Sequence, residues 1–470
     1  MLLLAGMAGM AGAGVAQVEY RIQADPERGW LLVHACGGET GTLVLAGAAG
    51  AGAALVHATR SNGGQVRRDG ARIVAADWTS GDCLDYAIDL RRAGERRGDA
   101  GGESSADGPW VLEPDAWLWR QRPATPARLR VELPPDWHAS LPWRPDRPGG
   151  RTWTLPAATG TAPARTAFGR MVLDGLDLPG GRVDIAVLAP PGGVLADRLV
   201  DWQRGVARLP LELFGRMPVP HAQVMVRPMA GGGDPVPWAQ SRRGGGVALD
   251  FRVDPEAGAT ALAADWTAAH EYAHLFHPWL GVEGSWLAEG LASYLQNVLR
   301  ARAGLIPADQ AWQRLHAGFG RGRAAPSGST LEQAARRLRQ ERNYMRVYWS
   351  GAAFWLEADL ALRRAGPGRL SVDAGLDHFA RCCLPQSRRW TPAQFVAELD
   401  RGLGVVVLVP LFERYRTATA FPDVDAAWTA LGLHPRSGAP RAASAPEATA
   451  LRAAIMASPL PPAPARARSR

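Results

Sequence analysis

Between residues 17 and about 160 the chain alternates apolar and polar positions in short runs. VEYRIQ, WLLVHAC, ARIVAADW and ARLRVELP each send every second side chain to one face, with Gly, Pro and Asp between them. A period of two predicts strands with one buried face, and a β-sandwich buries many such strands on one side each. The apolar stretch LVLAGAAGAGAALV (43–56) is too short to span a bilayer and predicts two strands around a tight turn. The insert RRAGERRGDAGGESSADGP (91–109) is polar and Gly-rich and reads as a loop.

From about 161 the pattern changes. RVDIAVLAPP, HAQVMVRPM and GGGVALDFRV (244–253) read as strands, and VLADRLVDWQRGVARLPLELFG has helical spacing of its apolar residues. From 261 to about 433 helices dominate, at 261–277, 285–302, 329–340, 343–364 and 391–401. The expected class is a multidomain α+β chain, with an N-terminal β-sandwich (17–160) and a second domain (161–435) of a small mixed sheet plus a helical lobe. Residues 436–470 are rich in Pro, Ala and Arg with few large apolar side chains, so a disordered tail is expected, with ATALRAAIMA forming at most a transient helix.

Composition narrows the function classes. A length of 470 residues implies two or three domains, and 47% hydrophobic residues is ordinary for a globular chain. The net charge of +8 comes entirely from arginine, since the chain has no lysine, and the arginines are scattered. A nucleic-acid surface needs a clustered patch, so no nucleic-acid partner is expected. MLLLAGMAGMAGAGVAQ resembles a secretory leader cleaved after Ala16, although a basic start is missing. Export to a periplasm or the exterior is therefore expected, with no stable membrane insertion once the leader (1–16) is removed. Of four cysteines, Cys36 and Cys83 could pair in an oxidising compartment or remain buried thiols. Cys382 and Cys383 are adjacent, and neither pair has the CxxC spacing of a cysteine metal site.

The chemistry concentrates in HEYAH (270–274). Residues four apart share one helix face, so His270 and His274 project together and can hold one metal ion. Glu271 lies beside them, where a carboxylate can act as general base. Two core histidines at helical spacing would look the same, so a third ligand is required. Glu283, in a turn, and Glu289, in WLAEGLASY, are candidates. Glu289 is favoured because a helix holds a ligand more rigidly than a turn does. His277 is expected to sit behind the site or at the surface. Two histidines and one carboxylate leave an open coordination position, which argues against a closed structural zinc site.

HEYAH followed by WLAEGLASY resembles the gluzincin metallopeptidases, most closely the glycyl aminopeptidase family and, more distantly, the aminopeptidase N family. The resemblance covers roughly 17–433 and is strongest over 268–296 and 344–360. It implies a thermolysin-like gluzincin catalytic domain, one Zn2+ ion held by His270, His274 and Glu289, Glu271 as general base, and a peptide or protein substrate. VYWSGAAFWLEADL (347–360) is similar to the family's Y-x-x-G-A helix start, which implies that Tyr348 stabilises the tetrahedral intermediate. LRVELPPDWHASLPW (129–143) is similar to the end of the family's β domain.

The sequence also departs from these families. The glycyl family usually carries a PDZ module where this chain has its Pro/Ala/Arg-rich segment. Both families bind a free amino terminus with a Glu on a Gly-bearing strand; the equivalent here is GGGVALDF, which has Asp250 as its only carboxylate. The expected activity is a zinc metallopeptidase, with aminopeptidase and endopeptidase both open. The alternatives are a catalytically inactive gluzincin-like binding or scaffold protein and a non-peptide hydrolase such as an epoxide hydrolase.

Overall fold

The computed structural model describes residues 17–94, 108–122, 124–157, 164–230, 233–243, 246–384, 388–435, 440–442 and 445–460. The expected leader, most of the polar insert and the end of the tail lie outside the described residues. The chain divides into two compact units, Met1–Arg170 and Met171–Arg470.

The first unit is built from the alternating runs. Six strands form one sheet in the order Thr152–Leu155, Ala127–Glu132, Glu19–Asp25, Trp30–Cys36, Cys83–Asp89, Leu55–Arg60. A four-stranded sheet contains Arg67–Asp69, Arg72–Trp78, Gly41–Ala46 and Arg120–Gln121. Leu31, Val33 and Ala35 of the first sheet and Leu43 and Leu45 of the second are buried in one core with Trp78, Trp117 and Trp119. The buried Tyr86 hydroxyl accepts the Trp119 backbone N–H at 2.9 Å and donates to the Trp117 carbonyl at 3.3 Å, so its polar end is satisfied. Cys36 and Cys83 face each other in neighbouring strands and form a disulfide, which the sequence leaves open. The stretch 43–56 is not a strand pair. Its first strand pairs within the four-stranded sheet and its second within the six-stranded sheet, so the Gly/Ala turn carries the chain between sheets.

The second unit opens with a five-stranded mixed sheet. Strands β1 (Val172–Leu178) and β2 (Gly181–Val187) pair antiparallel as a hairpin, and β2 runs parallel to β3 (His221–Pro228) through a crossover containing α1 (Val194–Val206). Strand β4 (Trp238–Arg243) lies at the sheet edge, antiparallel to β5 (Val247–Val253), which sits between β3 and β4. Interior β3 and β5 are almost fully buried and read as apolar runs. Edge strand β4, WAQSRR, has no apolar alternation, so no pattern in the sequence marks it.

The helix expected over 261–277 is broken. Residues Ala259–Ala264 form one helix, and α2 (Thr267–Ala273) starts anew where the Asp265 carboxylate accepts the Thr267 N–H at 2.7 Å. A tight turn, His274–Phe276, follows before Pro278. The 329–340 segment likewise splits, into Leu331–Arg336 and Leu338–Glu341. Helix α3 (Ser285–Arg302) and helix α4 (Tyr344–Ala365) match their expected spans within a residue or so, and pack along each other with most of both surfaces buried.

Two glycines set how closely α3 and α4 approach. A methyl added at Gly351 would lie 2.8 Å from the Gly290 Cα and still closer to the Trp286 carbonyl. One added at Gly290 would overlap the Gly351 backbone. Further along, α5 (Val372–Cys382) packs against α6 (Pro392–Leu403), whose start carries a Thr391–Gln394 capping box. The expected disorder after 435 is corrected for one segment. Residues Pro446–Met456 form α7, with Ile455 fully buried and its carbonyl accepting Arg302 Nε and Nη2 at 2.9 and 2.7 Å. One apolar anchor and one buried guanidinium needing acceptors hold a segment that composition alone leaves unstructured.

Gly351→Ala should cost about 1–3 kcal/mol, because backbone rather than a movable side chain fills the space. At ~2–4 °C per kcal/mol the thermal midpoint falls by several degrees. Gly320→Ala, in the helix Ala308–Ala324 where an added methyl meets nothing, should stabilise by about 0.5–1 kcal/mol. Equal effects of the two substitutions would show that the α3–α4 approach is not controlled by these glycines.

Candidate active site

The site lies wholly within the second unit, where α2, α3, α4 and edge strand β4 converge. His270 and His274 are one helical turn apart on α2 and at its end, with ring centroids 4.9 Å apart, and both are buried. Glu289, in the second turn of α3, reaches both: its Oε2 is 3.1 Å from His270 Nε2 and 3.5 Å from His274 Nε2. Glu283, the other candidate, instead lies 3.7 Å from Arg336. Burial would raise the Glu289 pKa, but the two imidazoles outweigh it and hold the carboxylate below its ordinary range.

Each histidine has its Nδ1 engaged. His270 Nδ1 is 2.8 Å from Gln296 Oε1, an acceptor, so Nδ1 carries a proton and Nε2 is the atom that faces Glu289; burial lowers the His270 pKa, but the Glu289 carboxylate outweighs it and the net shift is upward. His274 Nδ1 is 2.9 Å from His277 Nε2, and His277 Nδ1 donates to the Pro278 carbonyl at 2.7 Å. That carbonyl can only accept, so His277 Nε2 accepts from His274 Nδ1–H, which leaves His274 Nε2 as the atom that faces Glu289. Burial and the Arg243 cation lower the His277 pKa well below its ordinary value, keeping it neutral for this relay. His277 is thus an outer partner of His274. Gln296 was not anticipated. The available signal was its spacing, since it lies seven residues after Glu289 and therefore on the same face of α3.

The two imidazole Nε2 atoms lie 3.1 and 3.5 Å from one ionised carboxylate oxygen, which fits a common ion once both nitrogens are deprotonated. Donors about 2.0–2.2 Å from one tetrahedral zinc lie about 3.3–3.6 Å apart. The donor types are those of zinc with an open fourth position. Glu271, buried next to them, receives a hydrogen bond from the Ser241 backbone N–H of β4, while its Oε2 has no hydrogen-bond partner among the described residues. Burial raises its pKa. The Tyr348 ring stacks on His270 at 6.0 Å, and its hydroxyl donates to Glu289. Burial, with Glu289 and Glu271 nearby, holds the phenol protonated.

Strand β4, not the segment 244–253, borders the site. β5 is interior, and Asp250 is fully buried against Arg227, whose guanidinium bonds both its oxygens at 2.7–3.1 Å. Asp250 is therefore not available to a substrate. The edge strand carries Arg242 and Arg243 and no carboxylate. Arg243 acts electrostatically on Glu271, and its Nη2 is buried without a hydrogen-bond partner among the described residues. Trp266, 44% exposed, contacts the His270 ring edge-on, and Tyr344, 37% exposed, contacts Tyr348, so aromatic surface open to solvent adjoins the site.

No family model and no curated protein matches the chain. Its structure is similar to that of an aminopeptidase N family protein from Idiomarina loihiensis, with a TM-score of 0.63 at 12% identity, covering 89% of this chain and 78% of that one. It is also similar to an M1 zinc metallopeptidase from Deinococcus radiodurans solved as a mutant bound to a Tyr-Ser-Ala substrate, with a TM-score of 0.50 at 17% identity, covering 87% and 95%. A two-domain M1 zinc metallopeptidase mutant bound to L-arginine matches with a TM-score of 0.50 at 18% identity over the same shares. The chain accordingly has the fold of the M1, aminopeptidase N-type, zinc metallopeptidases.

Proposed function

We propose that this protein is a zinc-dependent peptidase in which His270, His274 and Glu289 hold a single ion. The observation that carries the reading is Glu271, a buried carboxylate with one oxygen that has no hydrogen-bond partner among the described residues, beside a set of three donors. Bound zinc would acidify a water and polarise the scissile carbonyl. Glu271 takes a proton from the attacking water and delivers it to the departing amine. The Ser241 N–H holds one Glu271 oxygen, which leaves Oε2 to act as the base. Tyr348, kept protonated, donates to the oxyanion as negative charge develops on the carbonyl oxygen. An extended substrate pairs with edge strand β4, which has β5 on one side and no strand on the other among the described residues. Trp266 and Tyr344 favour apolar or aromatic side chains next to the cleaved bond.

The same strand argues against a held amino terminus. An ammonium group needs a carboxylate anchor, and β4 supplies cations instead. We therefore assign cleavage that does not require a free amino end, with L-arginine and Tyr-Ser-Ala binding belonging to the neighbours that carry them.

Glu271→Gln should keep zinc and lower kcat by roughly 10²- to 10⁴-fold. A peptide-library digest read by mass spectrometry, wild type against variant, checks this, and a variant with full turnover would remove Glu271 as the base. Gln296→Leu removes the acceptor that orients His270 and should weaken zinc affinity about 10- to 100-fold in chelator competition. Unchanged affinity would mean that the His270 tautomer is set elsewhere. For a cleaved peptide, acetylating the amino terminus should leave kcat/KM within about threefold, a change worth less than ~0.7 kcal/mol. Loss of cleavage on acetylation would restore the aminopeptidase assignment.

A further inference from the structure

A second set of metal-type donors lies away from the candidate active site, between α5 and α6. His378 and Cys382 are four residues apart on α5, hence on one face, and Cys383 follows directly. Glu398 of α6 faces them. Its Oε1 is 3.1 Å from His378 Nε2, 3.6 Å from Cys382 Sγ and 3.6 Å from Cys383 Sγ, and Cys382 Sγ is 3.6 Å from His378 Nε2. In a tetrahedral zinc site with Zn–S about 2.3 Å and Zn–N or Zn–O about 2.0–2.2 Å, unlike donors are separated by about 3.3–3.7 Å. The three spacings among His378, Cys382 and Glu398 lie within or just below that range, and Cys383 adds a fourth donor through its 3.6 Å approach to Glu398. The sequence gives no hint of this, because one of the four donors arrives on another helix.

The surroundings are arranged for these donors. Gly402 of α6 leaves room for the His378 ring: a methyl there would sit 2.6 Å from Nε2 and closer still to the ring carbons. Arg401 Nε donates to Glu398 Oε2 at 2.8 Å, and its Nη2 contacts Oε1, which fixes the carboxylate from the outer side. Two thiolates, one carboxylate, a divalent ion and this guanidinium sum to zero charge. The two sulfurs are joined as a disulfide between adjacent residues, and in that form they are not thiolate ligands.

We propose that Cys382, Cys383, His378 and Glu398 form a redox-gated site for a thiophilic divalent cation such as zinc, closed by the disulfide and opened by its reduction. A phosphine reductant accounts for the step: the phosphine takes oxygen from water to become its oxide, and the S–S bond becomes two thiols. Binding the cation then releases the two thiol protons to solvent.

The probe is cobalt(II), added anaerobically to full-length, metal-stripped protein before and after phosphine reduction. A thiolate-to-cobalt charge-transfer band should appear only after reduction, saturate with one cobalt beyond whatever the oxidised protein takes up, and vanish in Cys382→Ser and in Cys383→Ser. It should persist when Cys36 and Cys83 are both replaced by serine. The His270–His274–Glu289 set contains no sulfur and cannot produce this band, so the outcome is independent of the peptidase assignment. The comparison of oxidised with reduced wild type also needs no substitution to fold. Absence of the band in the reduced protein, or its survival in both single serine variants, overturns the proposal.

Discussion

The close contact of Gly290 with Gly351 is the constraint on which the candidate site depends. Glu289 precedes the first glycine and Tyr348 lies one turn before the second. With side chains at either position the two helices would have to separate, since what an added methyl meets is backbone that has no rotamer to move. The Glu289–Tyr348 hydrogen bond and the stacking of Tyr348 on His270 both need that short interhelical distance. The glycines in WLAEG and in YWSGA are thus two halves of one packing interface. Their weak helix propensity is offset by the approach they allow.

The histidines are oriented by a second layer of acceptors. Gln296 and the His277–Pro278 pair each engage an Nδ1–H, so in both rings Nε2 is the atom that faces Glu289. This arrangement is built before any ion binds, which keeps the reorganisation on binding small. It also explains why His277, only three residues past His274, is buried: the chain turns sharply after α2 and folds the third ring under the second.

The border of the site is where the chain differs from what its resemblance implies. The strand Val247–Val253, expected to carry the substrate-facing acid, is an interior strand whose Asp250 is held by Arg227. The strand that borders Glu271 is the preceding one, rich in Arg and Gln. A mixed sheet can reverse strand order relative to sequence, and here the last-but-one strand takes the edge. Which carboxylates and cations a substrate meets therefore follows from sheet order.

The sequence by itself determined whatever depends on local periodicity and spacing. Alternation marked the strands of the first unit, the i, i+4 rule put His270 and His274 on one face, and the apolar pattern over 285–302 and 343–364 located the two long helices. These are properties of a few neighbouring residues, and backbone geometry alone turns them into structure. Tertiary structure decided the rest. Glu289 rather than Glu283 meets the histidines because of how α3 turns back on α2. Arg243 enters the site from a strand whose pattern names no role, and the helix 446–456 is held by Arg302 and a single buried isoleucine. Each of these contacts joins residues distant in sequence, and its energy exists only once packing has set the distance, so no local pattern could carry it.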